Sequence, residues 1–159
     1  IEVDIVKKKS KHMECKHLIN WVLKSEHLNK YNEVEKHKQF FKECQNHKIL
    51  LKQLLLTLKK QNKKILGYGA STKGNVLLQY CNINSKLLDY VSEVNKFKFN
   101  KYTPGSNIKI ISEKEAKIKK PDYMLVLPWH FKDHIIQREQ NFLKNGGKLI
   151  FPLPDIEIV

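Results

Sequence analysis

The stretch ILGYGASTKGN, residues 65–75, decides the fold. The segment 64–68, apolar from Ile65 onward, predicts a buried strand, and residues 72–81 predict a helix directly after a glycine turn. In that turn Gly67 permits a tight bend, Gly69 permits close backbone approach to a ligand, and Ser71 can cap the helix. A buried strand, a glycine turn and a helix in this order are typical of the start of a doubly wound α/β domain.

The rest of the chain after residue 62 continues this alternation. Ser112 and Glu115 form a capping box at the start of a short helix that ends before Pro121. Alternating strands and helices indicate parallel pairing through right-handed crossovers. We therefore predict an α/β fold: a Rossmann-like, doubly wound, mostly parallel sheet of five to six strands, preceded by two helices. The further predicted strands cover 87–94, 108–111, 123–127 and 148–152, and the last predicted helix covers 130–144.

The first sixty residues have a different pattern. Residues 1–6 alternate apolar and polar side chains, which predicts a short strand remnant. From 11 to 60 apolar residues recur at helical spacing, which predicts two packing helices with a break over 25–31. We predict two parts: an N-terminal strand remnant and helical linker region over 1–60, and a Rossmann-like domain over 61–159.

Composition narrows the class of protein. The 159 residues carry a net charge of +14, but this charge comes from 29 lysines and a single arginine, Arg138. Nucleic-acid readers favour the arginine fork, so the pattern favours a solvated lysine surface over nucleic acid. No run approaches the roughly 20 apolar residues of a membrane span, and three cysteines without CxxC spacing disfavour disulfides and zinc. We expect a soluble, cytoplasmic protein with no membrane partner; a homo-oligomer is compatible with the sequence.

The glycine turn has three interpretations. Its N–H groups suit a bound phosphate, and Lys73 in the first helical turn opposes the helix dipole unless a negative charge lies nearby. A purely structural turn is the second interpretation. A nucleophilic Ser71 is the third, although Lys73 stands where that motif needs glycine, and Thr72 likewise replaces the third glycine of the dinucleotide fingerprint. Under the phosphate interpretation the binding residues are Gly67, Gly69, Ala70, Ser71, Lys73, Gly74 and Asn75.

Two further segments should reach the same edge of the sheet. Glu93 ends the second predicted strand, where an acid often meets a ribose hydroxyl, or else it pairs with Lys96 or Lys98. With strand order 3-2-1-4-5, the turn after the fourth strand faces the glycine turn, and its His130 could act as a base or only cap and pack. No metal site is predicted. The binding residues added by these segments are Glu93, Lys98, Tyr102, Pro104, Gly105, Trp129 and His130.

Four ordered motifs resemble a known family. They are GYGASTKGN at 67–75, EVNKFKFNKYTPGSNIKI at 93–110, PDYMLVLPWHF at 121–131 and GGKLIFPLP at 146–154. Together they resemble the C-terminal domain of the S-adenosylmethionine-dependent sugar C-methyltransferases, multidomain enzymes that act on nucleotide-linked deoxysugars. The similarity covers about residues 40–159.

The resemblance implies how such a domain is used. In that family a zinc-binding domain comes first, an S-adenosylmethionine-binding domain second, and this Rossmann-like domain third. The methyl group goes to a ring carbon beside a keto group, after a proton is removed. We therefore expect a nucleotide-sugar-binding domain, with S-adenosylmethionine bound mainly by a domain absent from this chain and zinc only in an absent N-terminal domain. The segment alone should be inactive, and no catalytic residue is assigned beyond the candidate His130.

Two alternatives remain open at the level of sequence. A nicotinamide-dependent oxidoreductase would also use the glycine turn and Glu93. A non-enzymatic binding or assembly module would dock a partner through the lysine-rich helices, with salt-sensitive association and no response to nucleotides.

Overall fold

The computed structural model describes residues 5–8, 10–11 and 14–159. The chain divides into two units, Ile1–Cys44 and Gln45–Val159. The predicted domain boundary between residues 60 and 61 stays a prediction, and most of the predicted strand over 1–6 lies outside the described residues. Among the described helices, none is long and apolar enough to cross a membrane.

The N-terminal helices are α1, Lys16–Leu28, and α2, Val34–Lys60. The predicted break over 25–31 is displaced to residues 29–33, where Lys30 has a positive φ of 59° that ends the helical path. None of the residues of α1 is buried. The part of α2 that belongs to the second unit is different, because Leu51, Leu55 and Leu58 recur at helical spacing and are buried in its core.

A six-stranded sheet forms the centre of the second unit, in the order β3-β2-β1-β4-β5-β6. All neighbouring pairs from β3 to β5 are parallel, and β6 is antiparallel to β5. This topology confirms the predicted Rossmann-like α/β fold, and its order reverses between β1 and β4. The strands are β1 Ile65–Tyr68, β2 Val91–Glu93, β3 Ile110–Ser112, β4 Tyr123–Val126, β5 Lys148–Phe151 and β6 Glu157–Ile158.

The remaining helices are α3 Thr72–Tyr80, α4 Glu113–Ile118, α5 Lys132–Arg138 and α6 Gln140–Lys144. The predicted capping box of α4 is present, with Ser112 and Glu115 bonded reciprocally. The single helix predicted over 130–144 is wrong, because Trp129–Phe131 form a 3-10 turn and the helix is interrupted at Glu139. Glu139 turns its side chain into the interior, where it is 8% exposed, and its backbone leaves the helical region at φ −98°, ψ 20°.

The two faces of the sheet are covered differently. One face packs in a single large cluster with the buried residues of α2 and α3, such as Leu55 and Leu78. On the other face α4 contacts β2 and β3, while α5 and α6 pack over β4 and β5 through Ile135 and Phe142. A cleft remains open over the end of β1, between α4 on one side and α5 and α6 on the other.

Candidate functional site

A cavity of about 480 Å³ occupies this cleft at the carboxyl ends of β1, β2 and β4. This is the edge at which open α/β sheets bind ligands, beside the point where the strand order reverses. Its volume falls within the range of small-molecule sites. The lining residues are Tyr68, Gly69, Ala70, Ser71, Ser92, Glu93, Val94, Lys98, Glu113, Pro128, Phe131, His134, Ile135 and Arg138.

The glycine turn forms one wall. Gly69 has a positive φ of 75°, and a Cβ there would lie 3.0 Å from the ring of Pro128, so both conformation and close packing require glycine. The Gly69 N–H donates to the Ser92 carbonyl at 2.8 Å. Ser71 is the N-cap of α3, and its Oγ accepts from the Gly74 N–H at 3.0 Å. The predicted capping role of Ser71 is therefore confirmed.

Glu93 is bonded to this turn and to its own loop. Its Oε2 accepts from the Ala70 N–H at 3.1 Å and lies 3.3 Å from the Lys98 Nζ. Its Oε1 accepts from the N–H groups of Val94 at 2.8 Å and Asn95 at 3.0 Å. Burial opposes ionisation of this carboxyl, but the Asn95 and Val94 donors and the Lys98 ammonium together lower the pKa of Glu93 below its ordinary value. Glu93 is thus an ionised brace for the turn.

Lys98 completes this arrangement. Besides Glu93, its Nζ donates to the Ala70 carbonyl at 2.9 Å, so the ammonium is held beside the turn. The Lys98 side chain remains 42% exposed, and it lines the cavity. Within the described ranges, 5–8, 10–11 and 14–159, no acceptor pairs with the N–H groups of Thr72 and Lys73, the first two of α3. A cation and two free amides therefore lie at the same end of α3.

The opposite wall comes from the turn after β4 and from α5. Phe131, Ile135 and Pro128 give it an apolar surface, and His134 and Arg138 add polar groups. Arg138 Nη2 lies 2.5 Å from both carboxylate oxygens of Glu113, which links α5 to the start of α4. This ion pair crosses the cleft between α4 and α5.

One lining residue, Tyr68, is bonded to a buried polar side chain behind the cavity. The Tyr68 hydroxyl donates to Glu139 Oε1 at 3.0 Å, and both residues are less than a tenth exposed. Burial, followed by the Glu139 carboxylate, raises the pKa of Tyr68. Tyr68 is therefore a neutral hydrogen-bond donor at all ordinary pH values.

Five of the predicted binding residues line the cavity: Gly69, Ala70, Ser71, Glu93 and Lys98. The others lie outside its lining. They are Gly67, Lys73, Gly74, Asn75, Tyr102, Pro104, Gly105, Trp129 and His130.

Packing accounts for two of the glycines outside the lining. A Cβ at Gly67 would lie 2.9 Å from Val91, and one at Gly74 would lie 2.5 Å from the Cβ of Leu127. Lys73 is exposed on the surface of α3. The side-chain Oδ1 of Asn75 is buried and has no hydrogen-bond partner among the described residues.

The loop and aromatic residues outside the lining have other contacts. Tyr102 bridges to Lys109, and a Cβ at Gly105 would lie 2.7 Å from Gln79. Trp129 packs against two apolar clusters. His130 is exposed, and its ring lies 4.2 Å from that of Phe131.

Nine lining residues were not predicted. Four of them, Phe131, His134, Ile135 and Arg138, recur at intervals of three and four, which is the spacing of one helix face. That face, directly after the turn at 127–130, is a signal that could have found them. The other five lie in strands or just after them, where the sequence does not show which side chains face the cavity. They are Tyr68, Ser92, Val94, Glu113 and Pro128.

Two comparisons with known proteins bear on the chain as a whole. A family model described as the C-methyltransferase C-terminal domain matches residues 1–154. The C-methyltransferase NovU of Streptomyces niveus is 36% identical over 109 residues. That alignment covers 69% of this chain and 26% of the relative, so the match spans about a quarter of the relative's length.

Proposed function

We propose that this chain, which belongs to the family of C-methyltransferase C-terminal domains, binds a nucleotide-linked keto-deoxysugar in the cavity at the carboxyl edge of its sheet. One observation carries the proposal: the glycine turn and the turn after β4 enclose a single cavity of about 480 Å³ where the strand order reverses. Ligands of α/β sheets bind at this place.

The groups around the cavity suit the parts of such a ligand. A diphosphate requires cations and N–H donors. Lys98 lines the cavity and is bonded to the carbonyl of Ala70, two residues before Thr72, whose N–H, like that of Lys73, is free. A base or sugar ring requires an apolar surface with a few polar groups, which Phe131, Ile135 and His134 supply. We assign no ligand contact to the Lys73 side chain, because Lys73 lies outside the lining of the cavity. The cation we assign to the diphosphate is Lys98.

For the complete enzyme we propose S-adenosylmethionine as the methyl donor and a ring carbon beside a keto group as the acceptor. The residues of this chain do not fit the donor. Glu93 is the acid that would face ribose hydroxyls, but both of its oxygens already accept hydrogen bonds from Ala70, Val94, Asn95 and Lys98. The same observation disfavours a nicotinamide ribose at Glu93. We therefore assign binding and orientation of the sugar nucleotide to this chain, and no step of methyl transfer.

Calorimetric titration of the chain tests this assignment. We expect binding of a dTDP-linked sugar, and weaker or no binding of NAD. Lys98→Met should lower affinity about tenfold, the effect of losing one ionic hydrogen bond. Lys73→Met is the matched control, because it removes the same charge from an exposed position outside the cavity, and it should change affinity less than about twofold.

Three results would contradict the proposal. They are preference for NAD over the sugar nucleotide, equal losses in the two lysine variants, or no response to either nucleotide. A parallel assay with labelled S-adenosylmethionine should give no methylated sugar with this chain alone.

A further inference from the structure

A second cavity, of about 600 Å³, lies at the opposite edge of the same sheet. It is bordered by Pro121 and Met124 at the beginning of β4, Gly147 before β5, and the ends of α4 and α6. The proposed sugar-nucleotide site does not use this edge.

The charges of this second cavity favour an anion. Lys117 and Lys120, at the end of α4, are exposed cations, and Arg138 is a third. Arg138 is paired with Glu113 and its Nε lies 3.7 Å from Glu139 Oε1, so Arg138 adds no unpaired charge. Neither lysine forms an ion pair with any described residue. Lysine ammonium groups bind phosphate as point charges.

The interior of the second cavity offers a different chemistry. Glu139 is buried there, and its Oε1 accepts from Tyr68, but its Oε2 accepts no hydrogen bond from any described residue. This oxygen is not one of the fully buried atoms that lack a partner, so it remains accessible to an N–H or O–H donor of a ligand. Met124 and Phe142 add an apolar surface suited to a flat ring.

The second cavity is separated from the first by side chains. Tyr68 lines the first cavity and Glu139 the second, and their hydrogen bond lies between the two. Arg138 borders both. A ligand in one cavity therefore leaves the lysines of α4 and the ring of Phe142 available to a different ligand.

We propose that the second cavity binds a small phosphate ester whose ring system carries a hydrogen-bond donor, the chemistry of a nucleoside monophosphate. The phosphate pairs with Lys117 and Lys120 at the mouth. The ring packs on Met124 and Phe142, and its N–H group donates to Glu139 Oε2. The volume of about 600 Å³ is sufficient for a ligand of this size.

The test is titration of the isotope-labelled chain with GMP, followed by NMR shifts of assigned backbone amides. Guanosine and inorganic phosphate serve as partial ligands. We expect GMP to shift amides near Phe142, Asn145 and Gly147, and to bind at least tenfold more tightly than either partial ligand. The double variant Lys117→Ala/Lys120→Ala should lose at least tenfold in GMP affinity. The matched control Lys60→Ala/Lys86→Ala removes two exposed lysines that line neither cavity, and it should bind like the parent chain.

Other results overturn the inference. Shifts confined to Gly69–Ser71 and abolished by Lys98→Met would mean that GMP occupies the first cavity only. Equal losses in the two double-lysine variants would mean general attraction to a basic surface. Because the shifts of the two cavities are read separately, failure here is distinguishable from failure of the proposed sugar-nucleotide site.

Discussion

The two turns that enclose the first cavity differ in how their polar and apolar groups are used. In the glycine turn the N–H groups of Gly69, Ala70 and Gly74 all have partners within the protein. In the turn after β4, Phe131 is 58% exposed although it lines the cavity. The motif that identifies the fold is therefore mainly a brace. The side chains left free for a ligand come largely from the less distinctive turn and from α5.

The strongest test of the brace is Glu93→Ala. This substitution removes the acceptor of three N–H groups and leaves Lys98 without its carboxylate, so the free energy of unfolding should fall by about 3 kcal/mol. Glu113→Ala is the control for a single ion pair that reaches the opposite wall, and it should cost about 1 kcal/mol because Arg138 is 41% exposed. Urea denaturation measures both. Equal losses would mean that the Glu93 network stabilises the fold no more than one partly exposed ion pair.

The next largest effect concerns Gly74, which lies in the motif but outside the cavity. In Gly74→Ala the new Cβ would lie 2.5 Å from the Cβ of Leu127, so we expect a loss of about 2 kcal/mol through overpacking. Val76→Ala is the control on the same helix, since Val76 is 65% exposed, and it should stay within about 0.5 kcal/mol of the parent. A stable Gly74→Ala chain with weakened nucleotide binding would instead make Gly74 a ligand contact.

A smaller effect should distinguish neighbouring aromatic residues on the other wall. Phe131→Ala should lower affinity for a dTDP-linked sugar about fivefold, the effect of losing one ring contact of about 1 kcal/mol. His130→Ala should change it less than about twofold, because His130 lies outside the cavity lining. Calorimetry on the two variants measures the ratio. A larger loss of affinity in His130→Ala than in Phe131→Ala would instead place His130 in the site and exclude Phe131.

The smallest effect is the pH dependence that Glu93 contributes. Its folded pKa is lower than the ordinary 4.5, so its ionised form stabilises the fold above that pH, and this contribution is lost as pH falls through the folded value. The difference in unfolding free energy between the parent and Glu93→Gln should be constant from about pH 7 to about pH 5 and shrink below it. Denaturation at a series of pH values gives this curve. If this difference in unfolding free energy grew as the pH fell, the pKa of Glu93 would not be lowered in the folded protein.

The fold followed closely from the sequence because its signals are local. The apolar run before Gly67, the serine cap at Ser71 and the capping box at Ser112 each use neighbours in the chain, and all three are present. The interruption at Glu139 was missed because its cause is not local. That residue turns inward to accept a hydrogen bond from Tyr68, which lies 71 positions away.

The site was less predictable than the fold for the same reason. The spacing of Gly69 and Ser71 shows that a turn must form, but it does not show that the Glu93 carboxylate accepts a hydrogen bond from the Ala70 N–H. Lys73 and Lys98 carry the same charge in the sequence, and only the path of the loop after β2 brings Lys98 to the turn. Which of two like side chains faces a ligand depends on the tertiary arrangement.

The hydrogen bond between Tyr68 and Glu139 makes one residue an optical marker. The chain contains six tyrosines, among which Tyr31 and Tyr102 are more than half exposed. A phenol absorbs more strongly in the near ultraviolet once it ionises, and burial together with Glu139 keeps Tyr68 neutral above the ordinary phenol pKa of 10.0. In alkali its absorbance change is therefore delayed until the Glu139 contact opens. A spectrophotometer thus reads the integrity of the partition between the two cavities without any added label.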